Sequence, residues 1–134
     1  MKRIITTLLL LVFISANAQN QKQEPVKIES KTLISGDTLT LKIDFSVQEN
    51  WMVYDSLGGD RGPIPLSFNN DAILNLELIK IKKPKTKHKY DDIFEVDLWY
   101  FTDAVTYELS YKIINSKVPV SGTVLLEYMS CNLT

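Results

Sequence analysis

The stretch TLTLKIDFSV, residues 38–47, alternates polar and apolar side chains without interruption. Leu39, Leu41, Ile43, Phe45 and Val47 fall on one side, and Thr38, Thr40, Lys42, Asp44 and Ser46 on the other. A period of two belongs to an extended strand with one face buried and one wet; a helix would mix the two sets around its axis. The pattern returns downstream, where Val105, Tyr107, Leu109, Tyr111 and Ile113 alternate with Thr106, Glu108, Ser110 and Lys112. Both stretches read as half-buried antiparallel strands.

Weaker strand candidates surround these two, at Val26–Leu33, Trp51–Tyr54, Ala72–Ile81, Val96–Phe101 and Gly122–Met129. Turn-forming residues separate them: Ser35-Gly36-Asp37, Gln48-Glu49-Asn50, a long loop over Asp55–Pro65, and Asn115–Lys117. Nothing after the N-terminal run sustains helical periodicity. About seven strands in a chain of this length read as an all-β, immunoglobulin-like antiparallel β-sandwich. The Cys…Trp…Cys spacing of antibody domains is missing, so the likeness to them is architectural.

The N-terminus sets the compartment. Met1-Lys2-Arg3 opens with positive charge, Ile4–Ser15 is almost wholly apolar, and Ala16-Asn17-Ala18 has the small-x-small pattern of a secretory cleavage site. The apolar run falls short of the roughly 20 residues that span a bilayer. It therefore reads as a signal peptide over residues 1–18, followed by a polar lead, residues 19–24, and one domain over residues 25–134. The expected product is periplasmic or otherwise exported, and soluble after cleavage, with no later membrane span. The sequence has 15 Lys and Arg against 16 Asp and Glu, so loss of Lys2 and Arg3 leaves 13 against 16 and a net charge of −3. That balance is ordinary and argues against nucleic acid as a partner.

Few residues carry chemistry. Lys80, Lys82, Lys83, Lys85, Lys87 and Lys89 crowd around Pro84, but Asp91, Asp92, Glu95 and Asp97 follow at once. No arginine or stacking aromatic is interleaved, so the run reads as a solvated hairpin end whose lysines discourage edge pairing. His88, the single histidine, reads as an exposed loop residue. One His and one Cys fall short of a metal site's ligand set. Gly58-Gly59-Asp60-Arg61-Gly62 lacks the Gly-Lys-Ser/Thr ending of a phosphate cradle and reads as a turn. Cys131 is the only cysteine, and in an exported chain it closes no internal disulfide. On alternation it shares a face with Leu125 and Met129, the placement of a small buried hydrophobe.

Three short stretches carry a family resemblance. Glu127-Tyr128-Met129-Ser130-Cys131-Asn132 resembles the active-site stretch in the N-terminal periplasmic domain of DsbD, the bacterial thiol:disulfide interchange protein. Trp51-Met52-Val53-Tyr54 followed by Gly62-Pro63-Ile64-Pro65 resembles that family's early strand and loop. Lys89-Tyr90-Asp91-Asp92-Ile93-Phe94 resembles its cap loop, and the likeness runs in order over residues 24–134. It implies an immunoglobulin-like fold with Cys131 as the nucleophile. It also implies Tyr90, Asp91, Asp92 and Phe94 as a cap over the sulfur, and Trp51, Tyr54 and Tyr128 as its neighbours. Ile93 falls where an aromatic is often found, and Phe94 takes that place if the register shifts by one.

The resemblance implies an oxidoreductase activity as well: passing reducing equivalents through a cysteine mixed disulfide. The implied partners are thioredoxin-like protein domains and periplasmic redox proteins of the cytochrome c biogenesis kind, and no cofactor is needed. The family works with a dithiol, because a second thiolate resolves the mixed disulfide. This sequence carries one cysteine. It is either truncated before the second or has lost it, and the implied dithiol is incomplete. The rival reading is a non-catalytic immunoglobulin-like protein-binding module whose cysteine is inert or dimer-forming.

Overall fold

A computed structural model describes residues 24–134, with no helix among them. The signal-peptide reading and nearly all of the polar lead lie outside the described residues. In chain order the strands are β1 Val26–Ser35, β2 Thr38–Val47, β3 Trp51–Leu57, β4 Ser67–Leu74, β5 Leu76–Lys82, β6 Lys87–Asp91, β7 Val96–Phe101, β8 Ala104–Ile113, β9 Ser121–Glu127 and β10 Ser130–Asn132. They form two four-stranded sheets, ordered β1-β2-β8-β5 and β10-β3-β7-β6, and a two-stranded sheet β4-β9. Every pairing is antiparallel. The chain is the all-β sandwich that the alternation predicts, with ten strands rather than about seven.

The extra strands have identifiable causes. The single strand expected over Ala72–Ile81 is divided at Asn75, which sits in the left-handed region at φ 62°. Asn tolerates that conformation better than other non-glycine residues. Here its side chain also donates to the carbonyls of Asn115 and Val118 at 2.8 Å each, and accepts from the Asn115 N–H at 2.8 Å. The pivot sends β4 to the two-stranded sheet and β5 to the edge of the first. The lysine run is then a crossover between sheets: Lys80 and Lys82 end β5, while Lys87 and Lys89 lie in β6 of the second sheet. The third addition is β10, where Cys131 leaves the line of β9.

The core is built by the two clean strands. Ile43 and Phe45 of β2, and Tyr107, Leu109 and Tyr111 of β8, are at most 1% exposed. They meet Val53 of β3 and Phe101 of β7 from the second sheet, and Phe68, Ile73, Val124 and Leu126 from the two-stranded one. Phe45 sits edge-on to Phe101 and Tyr107, with centroids 5.4 and 5.6 Å apart. Such geometry adds to the burial of the rings.

One buried polar group interrupts this apolar layer. Asp55, which the sequence assigns to a loop, lies inside β3 and is 6% exposed. It is the extra residue of a β-bulge, because Tyr54 pairs with Tyr100 and Ser56 already with Trp99. Its carboxylate accepts from the Tyr107 hydroxyl, from Ser56 Oγ at 2.9 Å and from Lys83 Nζ at 3.4 Å. Burial and that bond raise Tyr107 above the ordinary tyrosine range.

Phe45→Ala is expected to cost about 3–5 kcal/mol, a large share of the stability of a domain this size. Thr40→Ala, on the opposite face of β2, is expected to stay within about 0.5 kcal/mol. Equal losses in urea melts would overturn the facing of β2. At the pivot, Asn75→Ala combines left-handed strain with lost hydrogen bonds and is expected to cost about 1–3 kcal/mol. Asn75→Gly keeps the backbone conformation and is expected to cost less; the same melts rank the two.

Candidate thiol site

β9 ends at Glu127 because the next two residues change allegiance. The Tyr128 ring turns into the core, perpendicular to Phe45 at 6.3 Å. Met129 then donates its N–H to the Ile64 carbonyl at 3.2 Å and accepts from the Tyr54 N–H at 3.4 Å. This carries the chain from the two-stranded sheet to the edge of β3. There β10 pairs Ser130 with Val53, Cys131 with Met52 and Asn132 with Trp51.

Directly paired residues face the same way, and so do residues two apart along a strand. Cys131 therefore shares the outer face of the sheet with Met52 and Tyr54. It is half-buried against a small apolar cluster of Met52, Tyr54 and Leu98, flanked by Leu57, Val96 and Tyr100. Leu125 and Met129 are 62% and 39% exposed. The face that alternation gave Cys131 in common with Leu125 is thus replaced by one on a different sheet.

The site draws on distant parts of the chain. The Tyr54 side chain is 6% exposed and packs in the same cluster as Cys131. Its ionisation is pushed up to about 12, first by burial, then by the neighbouring Cys131 sulfur, and last by the charge of Asp91. Asp91 ends β6, where its Oδ1 accepts from the N–H groups of Ile93 and Phe94 at 2.9 and 3.0 Å. These bonds fix the turn that leads into β7, and Glu95 closes it at φ 58°. The thiol in turn lies 3.4 Å from the carbonyl oxygen of Asn132.

The remaining expected site residues are divided between the two faces. Trp51 and Tyr128 pack against the main core on the inner side of the sheet, away from the outer face that holds Cys131. Tyr90 pairs with Asp97 and is 56% exposed. Asp92 and Ile93 stand at the tip of the turn, Ile93 with 88% of its surface in solvent. Phe94 is 42% exposed, and a carbon added at Gly62 would meet its ring at 3.9 Å, Leu57 at 3.6 Å and Val96 at 3.7 Å. Its ring therefore lies over the Leu57 end of the outer face, with Gly62 providing the clearance.

Sequence reasoning passed over Met52, Leu98 and Tyr100, which complete the floor of the site. Leu98 and Tyr100 alternate with Asp97 and Trp99, a signal present in the sequence but without a face until β7 is placed between β3 and β6. His88 pairs with Asp97, Nε2 to Oδ1 at 2.7 Å, and lies 5.0 Å from the Trp99 ring. Among the described residues no group of three or more His, Cys, Asp and Glu could hold a metal ion. Nor, among them, is any helix long and apolar enough to cross a membrane.

The raised tyrosines fix the sign of the alkaline response. A tyrosine normally loses its proton near 10, and the folded chain holds Tyr54 protonated to about 12. The stability this contributes is fully present below the unfolded value and is lost as pH rises through the folded one. Tyr107 acts in the same direction. Urea midpoints are therefore expected to fall from about pH 10 upward, and Tyr54→Phe to flatten part of that slope. An unchanged slope would overturn the Tyr54 contribution.

No protein-family model, curated protein or solved structure matches this chain.

Proposed function

We propose that this chain is an exported thiol:disulfide exchange domain, similar to the N-terminal domain of DsbD, with Cys131 as the exchanging sulfur. One observation carries the reading. Cys131, Tyr54 and Asp91, each within one of the three stretches that carry the family resemblance, converge on one face of one sheet. An inert core cysteine needs neither a tyrosine packed beside it nor a carboxylate on the same face.

The chemistry is sulfur-for-sulfur displacement. The Cys131 thiol gives its proton to solvent, and the thiolate attacks one sulfur of a disulfide in a thioredoxin-like or other exported redox protein. The S–S bond of that disulfide breaks, a Cys131–partner mixed disulfide forms, and the other sulfur leaves as a thiolate. The partner's freed thiolate, or any second thiolate, resolves the mixed disulfide by the same displacement. Tyr54, on the same face, has the hydroxyl available to donate to the thiolate as it forms. Met52 and Leu98 provide a dry floor, and the turn of Asp91, Asp92 and Phe94 borders the site on the β6 side.

The test is the rate at which native Cys131 reacts with a small disulfide, compared with the rate in denaturant. Native reaction that does not require global unfolding is expected, giving a mixed disulfide or a Cys131–Cys131 dimer, both abolished by Cys131→Ser. Tyr54→Phe is expected to slow the native reaction by about two- to tenfold, the range of one hydrogen bond. Phe94→Ala is expected to accelerate it. Labelling only through global unfolding, with no response to either substitution, would leave the protein-binding reading standing.

A further inference from the structure

β6 pairs with β7 in the register Lys87 to Tyr100, Lys89 to Leu98 and Asp91 to Val96. Paired residues share a face, and Leu98, Tyr100 and Val96 belong to the cluster that holds Cys131. Lys87 and Lys89 therefore stand on the same outer face as the thiol, while His88 and Tyr90 alternate to the other side. We infer that this face docks an acidic protein surface surrounding the partner's disulfide, with Lys87 and Lys89 as its electrostatic guide. The inference rests on the exchange reading above and names the partner's charge.

The two ammonium groups are placed and held. Lys87 Nζ donates to Thr102 Oγ1 at 2.7 Å. Lys89 Nζ lies over the Tyr100 ring at 5.4 Å. Tyr100 itself pairs with Tyr54, which packs in the same cluster as Cys131. Thr102 follows Phe101, the partner of Val53, and so lies level with Met52, which pairs with Cys131. With strands about 4.8 Å apart, that row sets Thr102, and the Lys87 ammonium bonded to it, two strand spacings or about 10 Å across the sheet from Cys131. This is one Debye length at about 0.1 M salt, close enough for a docking partner to feel.

The charges are also uncommitted. Among the described residues the ion pairs are Lys27–Glu29, Lys42–Glu108, Lys83–Asp55 and His88–Asp97, and neither Lys87 nor Lys89 takes part in one. Asp91 faces the same way from the far end of β6, where its Oδ1 accepts from two backbone N–H groups of its turn. The face is thus basic beside Met52 and Tyr100 and acidic towards the turn. Complementary charge at such a distance acts mainly on the rate of encounter and on the orientation of docking.

The experiment compares two short peptide disulfides, one flanked by glutamates and one by lysines, with hydroxyethyl disulfide as the neutral reference. Native Cys131 is expected to prefer the glutamate peptide. Lys87→Glu with Lys89→Glu is expected to shift the glutamate-to-lysine rate ratio by at least about fivefold at low salt, and added salt to remove most of the preference. Lys87→Gln with Lys89→Gln gives a smaller shift in the same direction, and serves if the charge reversal unfolds the chain. Lys80→Glu with Lys82→Glu, on β5 of the other sheet, is expected to shift the ratio much less. A ratio indifferent to Lys87 and Lys89, or equally sensitive to Lys80 and Lys82, overturns the inference while exchange itself stands. No native reaction with any of the three disulfides overturns the exchange reading beneath it.

Discussion

The hydrogen bond from Tyr107 to Asp55 joins the two four-stranded sheets through the middle of an apolar core. A buried carboxylate is tolerated only where donors surround it, and here Tyr107, Ser56 and Lys83 all reach it. Removing a donor would leave part of that charge unanswered, at a cost of several kcal/mol of the kind seen when buried pairs are broken. The bond also fixes where the bulge in β3 falls. With Asp55 as the extra residue, Tyr54 and Leu57 come to lie on one outer face, whereas unbroken alternation would set them on opposite faces. The joining of Leu57 to the outer cluster that holds Tyr54 and Cys131 therefore depends on a polar contact made on the other side of the same strand.

β3 is consequently buried on both faces, a condition unusual for an antiparallel sheet in a small domain. Val53 and Asp55 belong to the interior between the sheets, and Met52 and Tyr54 to the outer cluster. The outer side is closed only partly, by the Asp91–Phe94 turn and by Gly62, whose lack of a side chain leaves room for Phe94. A thiol in that setting is packed yet lies at a sheet edge, on a strand of three residues that is paired on one side only. Short pairing of this kind opens more readily than the core strands do.

The lysine run acquires separate roles from the crossover it occupies. Lys80 and Lys82 lie on β5, the edge strand of the first sheet, where charge discourages pairing with other chains. Lys83 reaches the buried Asp55. Lys87 and Lys89 border the thiol face. One compositional feature thus serves edge protection, core neutralisation and the electrostatics of the candidate site, according to the strand on which each residue lands.

The sequence by itself determined the all-β class, the two clean core strands and the facing of Phe45, because a period of two follows directly from strand geometry and burial. It also contained every residue of the thiol site, and the resemblance picked out Cys131, Tyr54 and Asp91. Only the tertiary structure decided which of those residues meet. Asn75 breaks one apolar stretch into strands of two sheets through a left-handed turn held by residues about 40 positions away, a contact that no local pattern reports. Trp51, adjacent in sequence to Met52, faces the opposite side because neighbours in a strand alternate, and Tyr128, between β9 and β10, turns into the core. Cys131 joins β3 rather than continuing β9, and that choice depends on the backbone hydrogen bonds that Met129 exchanges with Ile64 and Tyr54. A strand's face is local information, whereas the strand beside it is chosen by long-range pairing.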